Sequence, residues 1–120
     1  SYPLGVHHHV PHGLAGGITL PSVLEFNVNQ GWFGFDRLLE SAYGPTSTSS
    51  EENSALYCQK VKELYRAIDA PTTFSAWGVG QDEVQALLPE IKHLQPAFDQ
   101  NPVPFSAERD APVLLQRHVI

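Results

Sequence analysis

Apolar residues recur three and four positions apart over several stretches of this chain, and no run alternates apolar with polar residues as a half-buried strand would. That pattern excludes most sheet folds and predicts an all-α helical bundle of about five or six helices without an internal repeat. Leu14, Ile18, Leu20, Val23 and Leu24 mark a first long helix reaching Asn27. The Pro-, Gly- and His-rich residues before it read as a loop, with Pro11 in the first helical turn. Almost every position of this helix is apolar or small, which places it in the interior, and Gly16 and Gly17 would let a backbone or ligand come close. Pro21 should kink or split it.

A second helix is expected from Trp32 to Tyr43, stopped by Gly44-Pro45. Residues 46–50 form a Ser/Thr loop ending in an N-cap, with Glu51 and Glu52 in the next first turn. The following helix has the clearest two-sided pattern. Ala55, Cys58, Val61, Leu64, Tyr65 and Ile68 make its apolar face, opposite Lys60, Lys62 and Glu63. Residues 72–79 read as turns broken by Gly78 and Gly80, before a helix from Asp82 that buries Val84, Leu87, Leu88 and Ile91 and is disturbed at Pro89. Residues 95–105 hold three prolines and read as an ordered or functional loop. A last helix starts near Ser106 with acidic residues early and Arg117 and His118 late, in agreement with the helix dipole.

With 120 residues the chain, residues 1–120, is expected to be a single domain. Seven Lys and Arg against 13 Asp and Glu give a formal charge of −6 and leave no basic stripe for nucleic acid or acidic membrane. No apolar run could span a bilayer and no secretory start is visible, so the expected location is the cytoplasm. The single Cys58 excludes an internal disulfide and reads as a small buried hydrophobe. Methionine is missing even at position 1, so Ser1 reads as a point within a longer or processed chain.

Four of the six histidines lie between positions 7 and 12. Imidazole is a common ligand of transition metals, so His7, His8, His9 and His12 could form an autonomous metal site. Against this, three adjacent histidines on a regular backbone cannot all face one ion, and solvated loop histidines are the plain alternative. His12 stands apart, between Pro11 and Gly13 at the mouth of the interior helix. No nucleophile elbow, dinucleotide fingerprint or phosphate-binding loop occurs. Trp32, Phe33, Phe35 and Trp77 read as core, because no basic residues surround them as a nucleic-acid stacking platform would require.

Longer motifs carry a family resemblance. Pro3-Leu4-Gly5, Val10-Pro11-His12-Gly13-Leu14-Ala15 and Leu20-Pro21-Ser22-Val23-Leu24-Glu25-Phe26-Asn27 resemble the signature of the iron-containing alcohol dehydrogenase superfamily. Ile68-Asp69-Ala70-Pro71, Gly78-Val79 and Asn101-Pro102 extend the likeness to the closing helix. The resemblance implies the C-terminal part of the helical domain of the dehydroquinate synthase-like, iron alcohol dehydrogenase type. An N-terminal domain binding NAD or NADP would lie outside this chain.

The family holds a divalent metal, Fe²⁺ or in some members Zn²⁺, through one Asp and three His. The last of these belongs to the Pro-His-Gly motif and corresponds to His12. The other ligands would precede Ser1. Tyr2 stands where many members have a His near the nicotinamide; its hydroxyl can donate a hydrogen bond but carries protons poorly at neutral pH. A Tyr-Pro-Leu variant also resembles members acting on sugar-acid and phosphonate-type substrates. The segment from Ala97 to Asn101 resembles a loop lining the substrate pocket, with Phe98 as the candidate contact. The implied activity is reversible oxidation of a small alcohol to an aldehyde or ketone, in an enzyme that could form homo-oligomers. The isolated chain is expected to be inactive. A non-catalytic helical interaction module is the reading from another class.

Overall fold

The computed structural model describes residues 2–46 and 48–119. Among these the chain forms seven α-helices and no strand: α1 (Tyr2–His8), α2 (His12–Asn29), α3 (Asp36–Tyr43), α4 (Ser50–Ala67), α5 (Gln81–Lys92), α6 (Gln95–Phe98) and α7 (Asp110–Gln116). A 3₁₀ turn, Ser75–Trp77, precedes α5. The all-α expectation therefore holds, with more and shorter helices than the periodicity suggested.

Two apolar clusters organise the bundle. The larger joins Leu4 of α1, Ala15 and Ile18 of α2, Phe74 and Val79 from the connecting turn, Val84, Leu87 and Ile91 of α5, and Ala111 and Leu114 of α7. Phe74 is wholly buried at its centre. The smaller cluster joins Leu24 of α2 with Phe35 and Cys58, and Trp32 and Phe35 meet edge to face at 4.7 Å. Helices α3 and α4 pack on each other, and α4 on α2. They project as a hairpin from the long helix. This explains dimensions of 46 × 31 × 20 Å and a radius of gyration of 15.3 Å, above the roughly 13.6 Å of a compact domain of this length.

Several boundaries follow local chemistry. Ser49 caps α4 by accepting from the Glu52 backbone N–H at 3.2 Å, as the Ser/Thr tract suggested; Ser47 lies outside the described residues. Gly44 ends α3 at φ 89°, a conformation that L side chains rarely adopt. Cys58 is buried, as expected, and burial raises its thiol pKa, with the nearby Glu25 carboxylate acting the same way.

Other expectations need correction. The opening residues form a helix rather than a loop: a proline in a first turn forfeits no intrahelical bond, and burial of Pro3 and Leu4 supplies the packing. Pro11 is the N-cap residue of α2, one position before the helix. Helix α2 is only half interior: Leu14 and Leu20 are exposed, as is Gly16, and a side chain at Gly16 would meet open space.

Pro21 does not split α2. It cannot donate to the Gly17 carbonyl one turn back, and the Tyr65 hydroxyl of α4 donates to that carbonyl instead, at 2.5 Å. Pro89 likewise sits within an uninterrupted α5, where the residue one turn earlier, Gln85, is exposed.

Residues 32–35 precede α3 outside any helix, and the last helix starts at Asp110, where the Ser106 and Arg109 backbone N–H groups are already taken by side chains. On α4 the buried side is rotated from the expected one. Asn53, Ser54 and Cys58 face inward, while Leu64 and Ile68 are 56% and 64% exposed. The inward polar side chains follow from the N-terminal fastening of α4, where Asn53 donates to Thr46 at 2.7 Å and Ser50 to Asp36 of α3 at 2.7 Å.

Candidate functional site

The α1–α2 corner carries the histidine tract. Its chain path is set by His9 in the left-handed region at φ 56° and by buried Val10, whose N–H donates to the Leu4 carbonyl at 3.4 Å. The four histidines disperse. His7 of α1 pairs with Glu90 of α5 at 2.5 Å, His8 is half-buried at the end of α1, and His9 is exposed in the turn. Glu83 accepts from the Gly80 backbone N–H at 2.8 Å; its pKa is lowered by backbone hydrogen bonds first and by His8 last. His12, the first residue of α2, is exposed. Among the described residues no group of three or more His, Cys, Asp or Glu is placed to hold a metal ion.

A cavity of about 440 Å³ lies between α2, α5, α7 and the segment after α6. Its walls include Ala15, Thr19 and Val23 on one side of α2, Ile91 of α5, and Leu114 of α7. Phe98, the last residue of α6, also lines it, half-buried, with its ring 5.0 Å from that of Phe105. Phe105 in turn meets Phe26 of α2 edge to face at 5.0 Å. Tyr2 lies outside these walls at the start of α1 and is 70% exposed. The structure thus places Phe98 at a pocket and His12 one turn before the pocket's first α2 residue, and leaves Tyr2 on the surface.

Two polar ties near this cavity escape sequence reasoning. Asn27 and Asn101 exchange amide hydrogen bonds, at 3.2 and 2.6 Å, and Asn101 also donates to the Val103 carbonyl, fastening the proline-rich segment to α2. His118 is buried beyond α7, where its Nδ1 lies 2.8 Å from the Thr72 carbonyl and its Nε2 lies 2.6 Å from the Ser22 hydroxyl. A carbonyl only accepts, so Nδ1 carries the proton and Ser22 donates to Nε2. His118 is therefore an internal tie between distant segments. No sequence signal links residues so far apart.

The chain belongs to the iron-containing alcohol dehydrogenase family, with residues 1–110 matching the description "Fe-containing alcohol dehydrogenase family, C-terminal". Over 83 residues it is 29% identical to an NADPH-dependent butanol dehydrogenase of Clostridium saccharobutylicum, a match covering 69% of this chain and 21% of that protein. The matched stretch spans about a fifth of that relative's length. No solved structure matches. No helix among the described residues is long and apolar enough to cross a membrane.

Proposed function

We propose that this chain is the C-terminal helical part of a metal-dependent, NAD(P)-linked alcohol dehydrogenase that interconverts an alcohol with an aldehyde or ketone. The observation that carries the reading is the family match together with the exposed Pro-His-Gly histidine at the start of α2. His12 is the chain's metal ligand in this reading. An exposed imidazole there is chemically suited to Fe²⁺ or Zn²⁺, and it is one ligand among several, since no group of three or more His, Cys, Asp or Glu is placed to hold a metal among the described residues. The remaining His and Asp ligands and the nicotinamide-binding domain come from chain outside residues 1–120.

The N-terminal end of α2 carries partial positive charge, which disfavours a bare cation and calls for an anionic ligand in the set. The bound metal would act as a Lewis acid on the substrate oxygen. The chain's own contributions are then orientation and exclusion of water. The α1–α2 corner holds His12 at the edge of the bundle, and Tyr2 offers a hydroxyl that can donate a hydrogen bond toward the nicotinamide side. Phe98 narrows the pocket beside the substrate. Exposed Leu64 and Ile68 on α4 suit burial against further parts of the same enzyme or against a second copy. We place the enzyme in the cytoplasm.

The test is metal analysis and turnover of the full-length protein with NADH and NADPH, beside His12→Ala. Loss of bound metal and of activity in the variant, with the same helical content, is expected. A variant that retains metal and turnover refutes the assignment of His12. The pure 120-residue chain is expected to show no NAD(P)-linked turnover.

A further inference from the structure

The segment after α5 is a closed loop. Gln95 clips its base, its side-chain amide donating to the Phe105 carbonyl at 2.8 Å and accepting from the Ala107 backbone N–H at 2.7 Å. Phe105 is buried there, seated edge to face on Phe26 of α2. Residues 96–104 therefore leave and rejoin the bundle at nearly one point, as an Ω-loop does, and Phe98 packs on Phe105 at that base.

The tip is fastened by far less. Pro102 and Pro104 have no N–H, and among the described residues no backbone–backbone hydrogen bond involves residues 102–105. Helix α6, which opens the loop, has no broad contact with another helix. The polar tie between tip and body is the exchange between Asn101 and buried Asn27, at 2.6 and 3.2 Å, with the Asn101 amide steadied by the Val103 carbonyl at 3.0 Å.

This tie stands at the edge of the cavity. Ala15, Thr19 and Val23 of α2 line the cavity at every fourth residue, and Asn27 takes the next place in that row. Phe98, Asn101 and Pro102 line it from the loop. The loop is thus a wall of the cavity, pinned where the α2 row ends, about 22 Å along the helix from His12. No charged side chain lines the cavity, so a small apolar molecule can occupy it.

We propose that residues 96–104 are a door and the Asn27–Asn101 amide pair is its latch: the loop swings about the Gln95–Phe105 base and admits small apolar molecules at the end of α2 remote from His12. It goes beyond the dehydrogenase assignment, because it concerns how the cavity is entered rather than what reacts beside the metal. A neutral hydrogen bond shifts an equilibrium about fivefold, so losing both amide bonds raises the open fraction by roughly 25-fold. While the closed form stays dominant, entry and exit quicken by the same factor and Kd is unchanged.

The experiment follows benzene by NMR exchange on the 120-residue chain, reading its entry and exit rates beside its Kd. In the wild type, benzene is expected to leave at least about a hundredfold faster than the protein unfolds globally. Asn27→Ala and Asn101→Ala, each first checked for a cooperative melt, are expected to raise both rates at least about tenfold while Kd stays within about threefold. Ser22→Ala, which weakens the fold away from the loop, is the control and is expected to leave both rates at the wild-type value. Absence of saturable benzene binding, exit at the rate of global unfolding, rates unchanged in a folded asparagine variant, or equal acceleration by Ser22→Ala would each overturn the proposal. The wild-type comparison decides even where neither asparagine variant folds. None of these readouts requires metal or nicotinamide, so failure of the His12 assignment and failure of the door are told apart.

Discussion

Replacing Tyr65 with Phe removes one hydroxyl and leaves the ring in place, which isolates the bond that lets α2 run through Pro21. The Gly17 carbonyl can receive nothing from Pro21, and the Tyr65 hydroxyl is its donor. Loss of an ordinary neutral hydrogen bond costs about 1 kcal/mol, and leaving a partly buried acceptor unsatisfied raises the cost toward about 2 kcal/mol. For a domain of this size that corresponds to a fall in Tm of roughly 4–8 °C. Urea and thermal unfolding of the wild type, Tyr65→Phe, Pro21→Ala and the double variant form a cycle that separates the bond from general packing.

Alanine at position 21 restores the backbone donor, so Tyr65→Phe should cost less than half as much in that background. An equal loss in both backgrounds, within about 0.3 kcal/mol, refutes the account of Pro21. Burial raises the Tyr65 pKa above the ordinary tyrosine value. A raised phenol pKa stabilises the fold below the unfolded value of 10.0, and that contribution is lost as pH rises through the folded pKa. Alkaline unfolding above about pH 10 should therefore be blunted in Tyr65→Phe.

The remaining outcomes concern other polar groups. Ser22→Ala strips the donor from buried His118 Nε2 and is expected to cost about 1–3 kcal/mol in urea melts, with a smaller further loss on adding His118→Phe. Ser54→Ala should act the other way and raise stability by about 1 kcal/mol, since the buried Ser54 hydroxyl has no partner among the described residues and alanine is the better helix former. The Arg109 guanidinium, with the Ser106 backbone N–H assisting, holds the Asp110 pKa below the ordinary aspartate value. Its stabilising effect is present above the unfolded value of 3.8 and lost as pH falls through the lower folded pKa, so a wild-type acid-unfolding curve steeper than that of Asp110→Asn is expected. Identical acid limbs in the two proteins would count against it.

Local signals foretold the parts of this protein that depend on near neighbours. The three-and-four spacing predicted an all-helical chain, the Ser/Thr tract announced the start of α4 to within a residue of its Ser49 cap, and Gly44 announced the end of α3, because capping and left-handed backbone are decided within a few residues. The Pro-His-Gly motif pointed to the family and to His12 as a candidate ligand. The chain's partners across the bundle were not legible in that way. Whether Pro21 breaks α2 depends on a hydroxyl arriving from Tyr65, forty-eight positions away. Which side of α4 is buried depends on how Thr46 and Asp36 fasten its first turn, and periodicity alone chose Leu64 and Ile68 where packing chose Asn53 and Ser54. The cavity, too, exists only where α2, α5, α7 and the Asn101-tethered segment meet. Sequence determines conformation over the span of a turn, whereas burial, pocket shape and long-range hydrogen bonds are properties of surfaces that exist only after distant helices have packed.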